Sequence, residues 1–162
     1  MSGKRFTIDN PIPVEGSINF LVTVSSMVNS SGFQQKYGRK YGLALNDWRV
    51  LMLVVSRPGV SPTELSELLA IDKMNITRAV QRLLDRKFIT AATHPEDGRK
   101  LTLTIARRGA RMYEAIAPGA WQFHEDLVEE FSEAERLMLR DLLSRLIARG
   151  RHLKAASTEE GD

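Results

Sequence analysis

Within positions 73–82 the chain carries Lys73, Asn75, Thr77, Arg78, Gln81 and Arg82, side chains suited to gripping and reading a polyanionic duplex. On a helix turning about 100° per residue, Ile76, Val80 and Leu83 share the inward face. Met74, Arg78, Gln81 and Asp85 then point the opposite way, with Asn75 and Arg82 on one shoulder and Lys73 and Thr77 on the other. The chemistry open to such a helix is groove reading. Arg pairs with guanine and Asn or Gln with adenine at major-groove base edges, while Lys, Thr and shoulder Arg reach phosphates. A solvated surface helix also carries cations, so the neighbouring elements decide between the two.

Those neighbours have a recognisable order. SPTE at 61–64 is a capping-box pattern with Pro62 at the first helical position, and it opens a short helix with Leu65, Leu68 and Leu69 inward. Asp72 caps the next helix after only Ala70 and Ile71, so the two helices meet at a steep angle and make a helix-turn-helix. Residues 88–93 and 101–105 are β-prone runs separated by HPEDGRK, which predicts a hairpin wing. Upstream, the pattern predicts a helix over 17–37 ended by Gly38 and Gly42. A second, capped by Asn46, carries Trp48, Leu51, Met52 and Val55 on one face and stops at Pro58-Gly59. Downstream, a helix from Arg107 is bent or interrupted at Pro118-Gly119. A last helix opens at Ser132 and Glu135, with Leu137, Leu139, Leu142, Leu143, Leu146 and Ile147 as its apolar stripe. The expected partition is an N-terminal arm and dimerisation helix at 1–45, a winged helix-turn-helix at 46–105, C-terminal helices at 106–153 and a disordered tail at 154–162.

Composition narrows the function classes. With 162 residues, 43% hydrophobic and 27% charged, the chain suits one folded, soluble, helix-rich domain. The longest apolar run, Val50 to Val55, is far short of the ~20 residues that cross a bilayer, so no membrane partner is expected. Cysteine is absent, which removes disulfides, thiolate metal sites and a cysteine-based oxidant switch; a cytoplasmic location is the default. The net charge of +3 hides an asymmetry. Ten Lys and Arg face four acids from Asp72 to Arg111, while eight acids face only Arg136 and Arg140 from Met112 to Asp141. One surface is basic enough for a polyanion and another would repel it. His94, His124 and His152 fall on three different elements without metal-ligand spacing, so neither a metal nor a cofactor is expected. No nucleophile elbow surrounds Ser56, Ser61 or Ser66, and GRKYG is not a phosphate loop, so the chain does not read as an enzyme and has no catalytic residues.

The segments DWRVLMLV, PTELSELLAIDKMNITRAVQRLLDRKFI and PEDGRKLTLTIARRG, in this order and spacing, resemble the MarR family of winged-helix transcription regulators over roughly residues 17–150. The resemblance implies a mainly α fold with a small β-wing, a winged helix-turn-helix within a helical homodimer. In that pattern the Asp-x-Arg of the wing, here Asp97 and Arg99, sends Arg into the minor groove while Asp helps hold it. The chain departs from the pattern at Lys87, where Gly is usual, at Ala106, where a Thr usually caps the following helix, and at Ala91-Ala92, where a polar residue is common. Thr104 offers a cap one turn before Ala106.

A homodimer is expected independently, because the stripes over 12–37 and 132–153 have too little else in the chain to cover them, and paired recognition helices read a palindrome. The implied function is a ligand-responsive repressor on double-stranded DNA; a winged-helix protein-interaction module that never reads sequence is the alternative. In the family, small anions, often aromatic carboxylates and in some members acyl-CoA thioesters, bind between the dimerisation helices and the DNA-binding lobe. Phe33, Tyr37, Trp48, Arg49, Met52 and Tyr113 are the residues to line such a pocket, with Arg49 or Arg39 as counter-ion. Trp48 and Met52 read better as core. For Arg49 a pocket, a salt bridge and a DNA-backbone contact are equally open.

Overall fold

The computed structural model describes residues 6–94 and 97–159, in two compact units divided between Ile116 and Ala117. In the first unit, α1 (Ile18–Phe33) begins at Ser17, whose hydroxyl accepts from the Phe20 amide at 3.2 Å. The helix does not end before Gly38 as its glycines suggest. It passes through a π-helical turn, Gln34–Gly38, into the short α2 (Arg39–Tyr41), and stops at Gly42 with φ +61°. Phe33 and Tyr37, four residues apart, both turn inward, ring centroids 5.6 Å apart.

Next comes α3 (Leu45–Ser56), whose N-cap position is Ala44, not Asn46. Alanine has no acceptor to offer, so the cap is the return bond alone: Asp47 Oδ2 accepts from the Ala44 amide at 3.2 Å. The buried residues of α3 are Asp47, Trp48, Val50, Leu51 and Val54, whereas Met52 is 37% exposed and does not join the core. The capping box of α4 (Pro62–Leu69) forms as expected, with Glu64 Oε2 accepting from the Ser61 amide at 2.7 Å and Ser61 Oγ from the Glu64 amide at 3.2 Å. The turn to α5 (Lys73–Asp85) puts Ala70 in the left-handed region at φ 53°, while Ser66 Oγ donates to the Ile71 carbonyl at 2.6 Å. These contacts set the angle between the two helices.

α5 ends in a Schellman turn, in which the Lys87 amide bonds the Leu84 carbonyl at 2.8 Å and the Phe88 amide bonds the Leu83 carbonyl at 2.9 Å. The turn holds Lys87 at φ 57°, so the non-glycine at this point sits where a Cβ is strained. The wing is an antiparallel pair, β1 (Ile89–His94) and β2 (Asp97–Ile105), registered from Ile89 opposite Ile105 to Thr93 opposite Leu101. The Thr90 and Thr104 hydroxyls lie 2.8 Å apart across it, so Thr104 braces the wing and does not cap the following helix. A third piece of sheet escapes the sequence pattern: Val60 pairs with Leu103, tying the end of α3 to the wing's base. Leu51, Leu65, Ile76, Leu83, Phe88 and Leu103 fill the space between these elements with essentially no exposure.

α6 (Arg107–Leu127) starts on top of Phe88. A Cβ on Gly109 would overlap the Phe88 carbonyl, which also accepts the Ala106 amide at 2.9 Å. The helix is not interrupted at Pro118. In the second unit, Ser132 and Glu135 form their capping box and Arg136 bonds Glu125 at 3.0 Å. α7 (Glu133–Glu159) runs on through residues 154–159, where the sequence reading expects no structure, and its apolar residues are exposed, among them Leu137, Met138, Leu142 and Ile147. Among the described residues, no helix is long and apolar enough to cross a membrane.

Two substitutions read the strain and the close approach. Lys87→Gly is expected to raise the unfolding free energy by about 1 kcal/mol, because it relieves a left-handed Cβ. Gly109→Ala is expected to lower it by roughly 3 kcal/mol, because backbone must move. Urea midpoints at constant m-value measure both.

Candidate nucleic-acid interface

α5 is held from one side only. Ile76, Ala79, Val80 and Leu83 are buried, while Lys73, Met74, Asn75, Thr77, Arg78 and Gln81 are exposed. Asp72 caps its N-terminus, Oδ1 accepting from the Asn75 amide at 2.9 Å and Oδ2 from Asn75 Nδ2 at 2.6 Å. Thr77 Oγ1 donates back to the Lys73 carbonyl at 2.8 Å, and Gln81 Nε2 donates to Asp85 Oδ1 at 2.8 Å. Both Asn75 and Gln81 therefore hold exposed, exchangeable bonds and can trade them for a base edge at little cost. The side chains of Lys73 and Arg78 have no hydrogen-bond or ionic partner among the described residues.

Arg82 behaves differently from the groove contact that its shoulder position suggests. Its guanidinium grips Asp47 of α3, Nη2 to Oδ1 at 2.6 Å and Nε to Oδ1 and Oδ2 at 3.0 and 3.2 Å. Asp47 is the buried charged side chain among the described residues, at 4% side-chain exposure, and Arg82 is half exposed. Hydrogen bonding to the Asp47 carboxylate raises the Arg82 pKa above its ordinary value, with burial acting the other way. Arg86, one turn on, donates from Nη1 to the Gly42 carbonyl at 2.6 Å and from Nη2 to that of Tyr41 at 3.0 Å, and lies over the Phe88 ring at 4.5 Å. So Arg82 and Arg86 bond to the protein itself, whereas Lys73 and Arg78 face solvent.

In the wing, the Asp97 carboxylate pairs with Lys100 Nζ at 3.4 Å. Arg99 has its backbone in β2, and its side chain lies outside the described residues. Of the residues expected to line an effector pocket, four form one aromatic row: Trp48 stacks on Phe33 (5.6 Å) and on Tyr113 (5.7 Å), and Tyr37 joins through Phe33. Arg49 sits beside it, bonding Ser30 Oγ at 3.3 Å and Asn46 Oδ1 at 3.4 Å. Arg39 and Met52 are exposed, so the row and Arg49 come together and the other two stand apart. The residues missed from sequence are Asp47 and Arg86. A lone acid inside the apolar run DWRVLMLV, at the start of a helix, is the signal that points to Asp47.

The MarR family model matches residues 41–100, from the end of α2 into the wing. The HTH-type transcriptional repressor YetL of Bacillus subtilis is 30% identical over 111 residues, 65% of this chain and 66% of its own, so the chain spans just under two thirds of YetL's length. A MarR/EmrR family transcriptional regulator from Acinetobacter superposes with a TM-score of 0.70 at 29% identity, covering 83% of this chain and 92% of that one. Across its helix-turn-helix and wing, and in fold, the chain is similar to the MarR family. MarR proteins are transcription regulators rather than enzymes. Bordetella bronchiseptica BpsR shares the fold, at TM-score 0.74 and 23% identity over 84% of this chain and 96% of BpsR.

The caps of the two MarR helices make acid stability testable. Bonds from the Asn75 amide and side chain hold the Asp72 carboxyl below its usual range, and bonds from Ser61 do the same for Glu64. A carboxylate with a depressed folded pKa contributes stability that is complete above its unfolded value, near 4, and is lost as pH falls through the folded one. Asp72→Asn still caps but does not titrate. Its melting temperature is expected to fall less steeply than that of the wild type below about pH 4, as followed by circular dichroism.

Proposed function

We infer that this chain is a sequence-specific transcription regulator, a ligand-responsive repressor of MarR type that acts in the cytoplasm as a homodimer on a palindromic operator. The observation that carries the reading is the outward face of α5. Lys73, Asn75, Thr77, Arg78 and Gln81 stand together in solvent on a helix whose opposite face is locked into the core. An exposed α-helix of this kind fits a major groove, where Arg78 meets guanine N7 and O6, Asn75 or Gln81 meets adenine, and Lys73 and Thr77 meet phosphate. Arg99, with Asp97, takes the minor groove from the wing. Arg82 leaves the set, being committed to Asp47. Repression is favoured because YetL is a repressor. No catalytic step and no cofactor enters this reading.

The dimer rests on two exposed apolar surfaces, one in each unit. α1 exposes Ile18, Leu21, Met27 and Val28, and α7 exposes Leu137, Met138, Leu142, Leu146 and Ile147, more apolar area than a monomer ordinarily leaves in water. A second copy of the chain covers them and pairs two recognition helices. The effector proposed is a small aromatic anion or an acyl-CoA thioester, supported by the row Phe33, Tyr37, Trp48 and Tyr113 beside Arg49. BpsR, whose DNA binding is regulated by 6-hydroxynicotinic acid, shares only the fold at its level of identity, so that compound is not carried over.

Selection from a random duplex pool by the wild-type protein is expected to yield a palindrome. On that duplex Arg78→Ala loses about 1–3 kcal/mol, with little change on a scrambled one. Lys73→Ala weakens both and lowers the salt slope by about 1. Equal affinity for selected and scrambled duplexes at physiological salt supports a protein-interaction module instead. Sedimentation at micromolar concentration is expected to give a dimer, and a stable folded monomer removes the two-half-site arrangement.

A further inference from the structure

Arg82 and Arg86 lie four residues apart, on one stripe of α5, and both reach back to the same stretch of chain, residues 41–47. Arg86 closes the carbonyls that the end of α2 leaves open. Arg82 forks onto Asp47, whose carboxylate is itself fixed, because Oδ2 also accepts the Ala44 amide at the start of α3. Apolar burial holds α5 against the core but is non-directional, and it tolerates small rotations of the helix about its axis. A guanidinium forked onto a buried carboxylate does not, since its bonds weaken steeply with distance and angle.

We propose that Asp47 is a positioning residue for duplex reading: through Arg82 it fixes the rotation of α5, and with it the direction in which Asn75, Arg78 and Gln81 meet a groove. The proposal rests on the duplex-reading function above. Asp47 touches no base in this account; it acts through Arg82. An unpaired carboxylate at this depth is strongly unfavourable, so orientations of α5 that break the pair are disfavoured together with the break. The competing role for Arg82 is release from Asp47 to grip a phosphate. The two roles make opposite demands on Asp47. If Arg82 grips phosphate, removing the Asp47 charge frees the guanidinium and tightens binding to every duplex. If the pair positions α5, the same change weakens binding to the selected duplex alone.

The test uses the duplex selected by the wild-type protein and a scrambled control, with Asp47→Asn, Arg82→Gln, Arg82→Lys and the double variant Asp47→Asn/Arg82→Gln, each melted to establish folding. Asp47→Asn and Arg82→Gln are each expected to weaken binding to the selected duplex about tenfold, equivalent to 1.4 kcal/mol, with scrambled-duplex affinity and salt slope near wild type. Arg82→Lys keeps the charge but loses the fork, so it is expected to behave like Arg82→Gln; a phosphate contact would instead tolerate lysine. The double variant is expected to be no weaker than either single one, as befits one coupled pair. It leaves no unpaired buried charge, so it carries the comparison even where a single variant melts out. Wild-type affinity in folded Asp47→Asn, or in the double variant, overturns the proposal while leaving duplex reading intact. A wild-type protein that selects no duplex removes the reading and the proposal together.

Discussion

Burying a carboxylate obliges the protein to pair it, and the pairing of Asp47 with Arg82 at 2.6 Å is the constraint on which the DNA-facing lobe depends. Asp47 opens α3, Arg82 lies on α5, and the bond between them joins the scaffold to the helix that faces outward. Arg86 adds a second attachment at Tyr41 and Gly42 and covers Phe88. Phe88 in turn receives Gly109 and the start of α6 on its carbonyl side. The basic character of α5 therefore has two origins. Lys73 and Arg78 stand in solvent, free for the proposed anionic partner, and Arg82 and Arg86 bond to the protein itself.

Asp47, Trp48 and Arg49 are consecutive, and helical geometry sends them three ways. Asp47 reaches α5, Trp48 lies between Phe33 and Tyr113, and Arg49 reaches Ser30 of α1. Under the proposed function, a ligand that moves the aromatic row moves the same turn of helix that holds α5. Coupling of this kind needs only different affinities of the ligand for two arrangements, and it is reciprocal: DNA weakens ligand by the factor by which ligand weakens DNA. The π-helical turn at Gln34–Gly38 belongs to the same neighbourhood, since Tyr37 of the row lies in it.

Much of the fold was legible because local rules agree with one another here. The capping boxes at Ser61 and Ser132, the Asp72 cap, the 3.6-residue stripe of Ile76, Val80 and Leu83, and the two β-prone runs of the wing are each short-range, and each forms; the turn expected between those runs falls on residues 95–96, outside the described residues. The misreadings have two sources, local competition at helix ends and contacts between elements distant in sequence. Gly38 looks like a helix stop, yet the π turn carries the helix past it to Gly42. Asn46 looks like a cap, yet Asp47 supplies the bond from inside the helix. Arg82 looks like a groove contact because a helical wheel shows the face of a residue and not the reach of its side chain. Its partner lies 35 positions away. Met52 follows the same logic in reverse: it is spaced for the core, but it is left 37% exposed.

Whether the outward face of α5 reads base edges in a major groove is decided by guanine-N7 methylation interference on the selected duplex. N7 is the acceptor that an Arg fork requires in that groove, and a methyl group there blocks the contact without altering minor-groove or phosphate sites. Interference is expected at guanines in two symmetric half-sites about one helical turn, roughly 10 base pairs, apart, with the signal lost at those guanines in Arg78→Ala. Tight binding that is indifferent to N7 methylation throughout the duplex contradicts it.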